Sequence, residues 1–335
     1  MNLQKQQGAL VISLDLESHW GVHDRIPLGN YRQNLLGERQ VISRLLELFR
    51  EYNIHTTWAT VGFLFAETRA ELLSVLPTKR PMYVNRGLST YDQIKDIGNN
   101  ESEDPLHFAA SVIRLIAATP HQEIGTHTFS HFYCLEKGQD SEMFRADLEA
   151  AAAIADKYKL SLESLVFPRN QQNISYLSIC RELGIKAYRG NERSWIYQAK
   201  RKENETYFRR SIRLLDAYIR ISGHNCYAQD ELGSSLPLNI PSSRFLRPFS
   251  KKLKVLEPLR LRRIRADLRY AAKKKLIYHL WWHPHNFGAN TNENLTMLKA
   301  ILDHFALMRD EYGMESLNMK ELSQKHMYRC GMNGH

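Results

Sequence analysis

The chain has 335 residues, 43% of them hydrophobic, which allows a large core in one α/β domain and argues against disorder. No window approaches the roughly eighteen apolar residues of a membrane span, and no signal-like apolar segment follows the start, so we expect a cytoplasmic protein. The net charge of +10 is concentrated in residues 244–275, where thirteen basic residues accompany two acidic ones, so it belongs to one segment and not to the whole surface.

The four cysteines, Cys134, Cys180, Cys226 and Cys330, are scattered along the chain without any short paired spacing. This distribution predicts neither a disulfide framework nor a cysteine zinc site. Each is most simply a small buried hydrophobe, and a reducing cytoplasm is the simplest compartment for the protein.

Apolar runs alternate with amphipathic segments, and this β-α-β order predicts a parallel sheet or barrel. We predict strands at residues 9–14, 54–61, 123–126, 165–167, 185–188, 276–282 and 314–319. We predict helices at residues 40–52, 106–118, 141–158, 176–183 and 295–312. The first strand is a continuous apolar run, which is typical of a strand buried on both faces.

Two segments interrupt this pattern. Residues 77–105 are rich in Pro, Gly, Asn and acidic residues, so we expect an inserted loop with little structure of its own, of a kind that often covers a site. Residues 200–275 begin with prolines among serines, which indicates a loop, and end in a basic helix with Leu261, Ile264 and Leu268 on one stripe.

The basic stretch 244–275 has three interpretations. It is either a solvated helix packed on the barrel by its apolar stripe or a site of contact with an anionic membrane, which would suit a lipid-linked sugar. The third interpretation is nucleic-acid binding. We do not expect it, because neither interleaved aromatic residues nor a known module accompanies the charge.

Polar side chains follow the predicted strands at the points where the strands end. Asp15 and Glu17 follow the first strand, and alternation places them on the same side of it. His127 and His131 follow the third strand, and their spacing brings both rings to one side if the backbone turns helically there. His283 follows the sixth strand.

In a parallel α/β barrel the carboxyl ends of all strands meet on one face, so these side chains are expected to form one site. Two histidines and one carboxylate with an open fourth position are a hydrolytic zinc arrangement. Taken alone, a pair of histidines four residues apart is also consistent with two unrelated side chains.

The order of these motifs resembles the polysaccharide deacetylase superfamily, the NodB-like carbohydrate esterases. The family motif His-Ser/Thr-x-x-His is matched in full by His127-Thr128-Phe129-Ser130-His131. Asp15-Leu16-Glu17 stands where the family has adjacent aspartates, as in branches that carry Asp-x-Glu, and Phe167-Pro168-Arg169-Asn170 reverses the Arg/Pro order of the third motif. The resemblance covers residues 10–189 and 276–323 and leaves residues 200–275 unmatched.

The resemblance implies one NodB-like domain over residues 1–335, a distorted (β/α) barrel of about seven parallel strands that also carries the inserted loop and the basic helical segment. It implies a hydrolase that removes an acetyl or formyl group from an amino sugar of a glycan or glycan precursor, in cell-surface polysaccharide metabolism. The cofactor would be a divalent metal, with Zn2+ expected, held by Glu17, His127 and His131.

By the same resemblance Asp15 is the general base, although the roles of Asp15 and Glu17 could be exchanged. Arg169 would orient Asp15 and lower the pKa of its carboxyl by charge pairing. His283 would protonate the departing amine, and His285 competes with it for that role.

Three residues are candidates for substrate contact: Trp195, Trp281 and His285. Trp281 stands where the family has a small apolar residue that lines the acyl pocket, and its bulk would favour a formyl or acetyl group over longer ones. Trp195 is as readily explained as a core residue. His19 and His23 have ligand-like spacing, but we expect them to be loop residues.

Two other functions stay open. One is a metal-free cyclic amide hydrolase of the allantoinase-like branch, against which the presence of both motif histidines argues. The other is a non-catalytic protein that binds a glycan or a lipid phosphate on the same barrel. The expected partner of the deacetylase is a glycan or an N-acylated amino sugar, and a lipid-linked substrate would place the protein at the inner membrane face.

Overall fold

The computed structural model describes residues 6–25, 28–197 and 207–331. Within these residues the chain forms one nine-stranded sheet in the order β6-β5-β4-β3-β2-β1-β8-β7, with β9 paired to β1. The strands are β1 Ala9–Leu16, β2 Thr56–Thr60, β3 Gln122–Thr126, β4 Ser164–Leu165, β5 Ala187–Gly190, β6 Leu238–Pro241, β7 Arg244–Phe245, β8 Ile277–Trp282 and β9 Glu315–Leu317. Every pairing between them is parallel.

Strand β1 is the centre of the sheet. All eight of its residues are buried, and it pairs with β8 on one edge and with β9 and then β2 on the other. This double burial explains why its sequence is a continuous apolar run instead of an alternating one.

The sheet curls until its two ends almost meet. Strands β6 and β7 lie at opposite ends of the sheet, yet only Ser242 and Ser243 separate them in the chain. The Ser242 amide donates to the Gly190 carbonyl at 2.8 Å, and the Ser243 amide donates to the His279 carbonyl at 2.8 Å. The predicted distorted (β/α) barrel is therefore confirmed.

The helices surround this sheet. They are α1 Leu28–Tyr52, α2 Arg69–Ser74, α3 Ala110–Ala117, α4 Ser141–Asp156, α5 Leu177–Glu182, α6 Tyr207–Asp216, α7 Glu257–Lys274, α8 Thr291–Tyr312 and α9 Met319–Arg329. Helix α1 begins at Leu28, well before the predicted residue 40. Leu28, Tyr31 and Leu35 in its first turns pack in a small cluster with Val22 and Leu106, apart from the main core. Gly37 of α1 lies against the backbone of Gly288, where a Cβ would approach the carbonyl oxygen to 2.3 Å. This close approach brings α1 next to the loop that follows β8.

The segment 77–105 is largely irregular, as expected, but it is packed and not loose. Leu88, Ile94 and Ile97 are buried. The Tyr83 hydroxyl accepts a hydrogen bond from the Tyr133 amide at 2.8 Å, and the Thr90 hydroxyl donates to the Ser130 carbonyl at 2.8 Å. The segment thus supports the turn that carries His131.

The first half of the segment 200–275 differs from the predicted loop, although its first residues lie outside the described part of the chain. It contains helix α6 and the two additional strands β6 and β7, which raise the predicted seven strands to nine. These strands have four and two residues, and β6 ends in Pro241, so they carry no alternating pattern that the sequence could reveal. Proline is tolerated there because β6 is an edge strand.

Within the described residues, no helix combines the length and the apolar character that are needed to cross a bilayer.

Candidate metal centre

The carboxyl ends of β1 and β3 bring Glu17, His127 and His131 together, although Glu17 is more than 100 residues away in the chain. Oε2 of Glu17 lies 3.4 Å from Nε2 of His127 and 3.1 Å from Nε2 of His131. All three side chains are buried, with 4%, 1% and 2% of the residue exposed. Convergence of the strand ends therefore produces the predicted cluster.

The loop after β8 adds a second pair of histidines on the other oxygen of the same carboxylate. Oε1 of Glu17 lies 3.5 Å from Nε2 of His283 and 3.2 Å from Nε2 of His285. Four imidazoles thus surround Glu17, two on each oxygen.

The turn that carries His127 and His131 is not the helical turn we expected. Thr128 and His131 have φ angles of 62° and 57°, in the left-handed region that most residues avoid. Asp147 holds this turn, since its Oδ1 accepts from the Phe129 amide at 2.7 Å and its Oδ2 accepts from the Ser130 amide at 3.2 Å. The rings meet because of this buried carboxylate and not because of helical periodicity.

His127 has the protonation pattern of a metal ligand. Its Nδ1 lies 2.8 Å from the Val166 carbonyl, which can only accept, so the proton sits on Nδ1. The lone pair of Nε2 then faces Glu17, and this buried atom has no hydrogen-bond partner. A cation bound between His127, His131 and Glu17 would give this nitrogen a partner.

The spacing of the cluster also fits a metal. Bonds of 2.0–2.1 Å in a tetrahedral sphere place neighbouring ligand atoms about 3.3 Å apart, and Glu17 lies 3.4 Å and 3.1 Å from the two nitrogens. Burial lowers the pKa of His131 to about 4, so its imidazole is neutral and keeps a lone pair at neutral pH. The residues present therefore fit a divalent metal.

His285 carries its proton on the opposite nitrogen. Its Nδ1 lies 2.8 Å from the Tyr31 hydroxyl and 3.3 Å from Nδ2 of Asn286, an amide nitrogen that can only donate. Nδ1 is therefore the acceptor, and Nε2 donates to Oε1 of Glu17. We predicted a substrate contact for His285, but it is 2% exposed and it orients the carboxylate.

Asp15 lies beside the cluster in a bidentate ion pair with Arg189. The oxygen–nitrogen distances are 2.6 and 2.7 Å, and both side chains are buried. Burial raises the pKa of Asp15, but the Arg189 guanidinium and nearby His127 outweigh it, so the pKa lies below its usual value. Asp15 is thus held as a carboxylate.

The expected pairing of Arg169 with Asp15 is wrong. Arg169 lies in a left-handed turn after β4, pairs with Asp24, and covers the Tyr133 ring at 4.2 Å. Arg189 makes the contact with Asp15 because it lies within β5, one residue beyond the predicted end of that strand. Arg189 directly follows the predicted strand 185–188, so the rule that gathers polar residues at strand ends could have found it.

His283 is the most accessible histidine of the cluster. Its side chain is 21% exposed, its Nδ1 has no hydrogen-bond partner, and its Nε2 lies 3.7 Å from Oδ2 of Asp15. Burial lowers the pKa of His283 to about 4, against the opposing effects of Glu17 and Asp15. It faces both carboxylates from the open side of the site.

The remaining candidates lie around this centre. Trp281 is fixed by the Arg189 guanidinium over its ring at 4.1 Å and donates to Oε1 of Glu192 at 3.2 Å. Trp195 is 58% exposed, so it is not the core residue we considered as one alternative. His19 and His23 contact His107 and the Trp20 carbonyl, as expected of loop residues.

No family model matches the sequence, and neither does any curated protein. Solved structures do match. A protein assigned as a polysaccharide deacetylase, from Mycobacterium smegmatis, has a TM-score of 0.61 at 13% identity, with 98% of this chain and 94% of that chain covered. A protein assigned as a polysaccharide deacetylase from Pseudomonas aeruginosa PAO1 has a TM-score of 0.54 at 12% identity over 96% and 91% of the two chains.

The structure of Puue allantoinase is similar as well, with a TM-score of 0.56 at 11% identity over 97% of this chain and 92% of that chain. At such identities the likeness shows the fold alone. The fold is that of the polysaccharide deacetylases, as the sequence motifs predicted.

Proposed function

We propose that the protein is a metal-dependent amide hydrolase that removes a small N-acyl group from an amino sugar. The observation that carries this proposal is the buried His127 Nε2, whose lone pair faces Glu17 at a ligand–ligand distance and has no other partner. Glu17, His127 and His131 would hold the metal, with Zn2+ as the first candidate. When bound, it would supply a Lewis acid that polarises the acyl carbonyl and makes water more acidic.

Asp15 is the proposed proton acceptor for the attacking water. The ion pair with Arg189 keeps Asp15 ionised and fixes its plane, so the carboxylate is ready to accept a proton at neutral pH. The pair also lowers the basicity of Asp15, so the acidity of the water must come from the metal.

His283 is the proposed donor to the leaving amine. Among the four imidazoles, its side chain is the only one with more than a few per cent exposed, and no group of the protein occupies its Nδ1. A neutral amine leaves far more readily than an amide anion, so this transfer is needed for the C–N bond to break.

Trp281 would limit the acyl group. Its ring is held by Arg189 on one side and lies 4.7 Å from the Phe245 ring, centre to centre. Because the Trp281 ring is held in place, it would leave room only for a small acyl group, so the proposed acyl groups are acetyl and formyl. Trp195, exposed on the loop after β5, is a candidate contact for the sugar.

The likeness to Puue allantoinase keeps hydrolysis of a cyclic amide as the second candidate. The two functions differ in what the histidines do, because a metal-free enzyme does not need a buried lone pair on His127. A binding protein without activity is a third candidate, and the ionised Asp15 argues against it.

The test is to incubate the metal-loaded protein with N-acetylated and N-formylated nucleotide sugars and lipid-linked sugars, and to measure released acetate or formate. His127→Ala should lose both bound metal, measured by elemental analysis, and activity. His304→Ala, at a half-buried position on α8 that contacts the Arg265 carbonyl and not the metal centre, is the control and should keep both. An active His127→Ala variant without metal would overturn the proposal.

A lipid-linked substrate would also use the predicted contact of residues 244–275 with an anionic membrane. Such a contact would bring the metal centre to a sugar that is carried on a lipid phosphate.

A further inference from the structure

Three of the thirteen basic residues of the segment 244–275 are buried and paired with acidic side chains, namely Arg244, Arg260 and Arg263. Asp216 and Asp267 are fully buried, and Arg244 approaches Asp267 at 3.0 Å and Asp216 at 3.5 Å. Arg263 approaches Asp216 at 3.2 Å, and Arg260 pairs with Glu257. Arg244 and Arg263 thus connect the end of α6 with α7, and Arg260 is paired within α7, so none of the three is available to a partner.

The exposed lysines form two clusters at opposite ends of α7. Lys251, Lys252 and Lys254 precede its first turn. Lys273 and Lys274 are its last two residues, and Lys275 follows directly. At 1.5 Å per residue, a helix of 18 residues separates the clusters by about 27 Å.

Only the first cluster lies on the face that holds the metal centre. Helix α7 connects β7 to β8, and these strands are parallel neighbours. The helix must therefore run antiparallel to them, from the carboxyl ends of the strands back to their amino ends. The cluster at Lys251 lies at the carboxyl ends and the cluster at Lys273 at the opposite end.

Large apolar side chains are exposed next to the first cluster. Val255 is 83% exposed and Leu259 is 43% exposed. More lie in α6 and the residues after it, which pack on α7 through the contacts of Arg263 with Asp216 and with the carbonyl of Ile219. Their exposed fractions are Phe208 69%, Leu215 51%, Ile219 60% and Ile221 51%.

We name residues 208–221 and 251–259 the docking rim. Its acidic residues are Asp216, which is buried, and Glu257, which is paired with Arg260. Its exposed charges are therefore the cations Arg210, Arg220, Lys251, Lys252 and Lys254. Single exposed apolar residues are ordinary, but several of them among cations in two packed segments have the composition of an interfacial membrane surface.

We propose that the docking rim binds the surface of an anionic lipid membrane, with its apolar side chains in the headgroup region and its cations on the lipid phosphates. Each cation near an anionic surface contributes a several-fold increase in partitioning, and each buried apolar side chain adds to it. The metal centre, on the same face, would then open toward the membrane. This binding does not depend on the proposed chemistry, so it can fail or hold independently of it.

The first test compares two triple variants of the full chain that carry the same change in charge. Lys251→Glu/Lys252→Glu/Lys254→Glu changes the docking rim, and Lys273→Glu/Lys274→Glu/Lys275→Glu changes the opposite end of α7. Sedimentation is measured with vesicles of phosphatidylcholine containing about one third phosphatidylglycerol. The partition coefficient should fall at least about tenfold for the first variant and less than about twofold for the second.

The second test separates membrane insertion from simple charge attraction. Ile219→Ser/Val255→Ser should reduce partitioning several-fold, whereas Leu307→Ser, at a position 60% exposed on α8, should not. Circular dichroism confirms that each variant is folded. Equal losses in the two lysine variants, or no loss in the apolar variant, would overturn the proposal.

Discussion

The two histidine pairs on Glu17 have the same chemistry, similar distances and different roles. In the first pair, His127 presents an unprotonated Nε2 toward Oε2, because its protonated Nδ1 donates a hydrogen bond to the Val166 carbonyl. In the second pair His285 presents a protonated Nε2 toward Oε1, because donors occupy its Nδ1. The hydrogen-bond partner of Nδ1, more than the distance from Nε2 to the carboxylate, determines whether a histidine binds a metal or orients the carboxylate.

Substitution in the first pair should have the largest effect on metal binding. We expect His127→Ala to weaken zinc binding by more than the roughly 100-fold that loss of an outer partner costs, because it removes a ligand. Isothermal titration of the metal-free protein measures this. Retention of the wild-type zinc affinity would show that His127 is not a metal ligand and that the two pairs do not differ in this role.

Asp15→Asn should leave the metal in place and lower kcat by about 10²- to 10⁴-fold, because the proton acceptor is lost while Glu17 and the histidines stay. Metal content and kcat are measured on the same preparation. Asp24→Asn, in the other buried Asp–Arg pair of this face, is the control and should have a much smaller effect on kcat.

The two histidines of the second pair, His283 and His285, should differ in their effect on catalysis. His283→Asn should lower kcat by about 10²-fold with little change in zinc affinity, since it removes the proposed proton donor and no ligand. A loss of zinc comparable with that of His127→Ala would assign His283 to the metal instead.

Tyr31→Phe tests the donor behind His285. We expect a roughly tenfold loss of zinc affinity, because Nδ1 loses a donor and Glu17 is oriented less firmly. Unchanged affinity in Tyr31→Phe would show that Asn286 alone fixes the tautomer.

The smallest effect concerns stability. Burial raises the pKa of Asp147 from 3.8 to about 6 in the folded protein, so folding takes up a proton between these values. The unfolding free energy should therefore fall by up to about 3 kcal/mol as the pH rises from 4 to 7. Asp147→Asn should lack this part of the pH dependence, as urea unfolding at several pH values would measure.

The sequence predicts the centre better than its surroundings. Asp15, Glu17, His127, His131 and His283 are found because each follows a strand and the strand ends of a parallel barrel converge. Their partners are not found by this rule. Tyr31 lies on α1 before residue 40, where that helix was predicted to begin, and Asp147 lies on a helix that carries no other site residue.

The segment between β5 and β8 shows a second limit. Strands β6 and β7 are too short to show an alternation of apolar and polar residues, so the sequence predicts a loop there and only the hydrogen bonds identify the strands. From the sequence, all the cations of this segment are expected on the surface. In the structure, the buried Asp267 and Asp216 pair with Arg244 and Arg263, which are therefore buried too. Local composition does not report which charges face inward.

The two serines between β6 and β7 have a consequence for local unfolding. Ser242 binds the β5 side through the Gly190 carbonyl, and the Ser243 hydroxyl accepts from the His279 amide of β8 at 2.9 Å. In a barrel whose two edges are not connected, either edge could unfold locally by itself. Here Ser242 and Ser243 connect the β5–β6 edge with the β7–β8 edge. The two edges should therefore exchange their amide hydrogens as one cooperative unit.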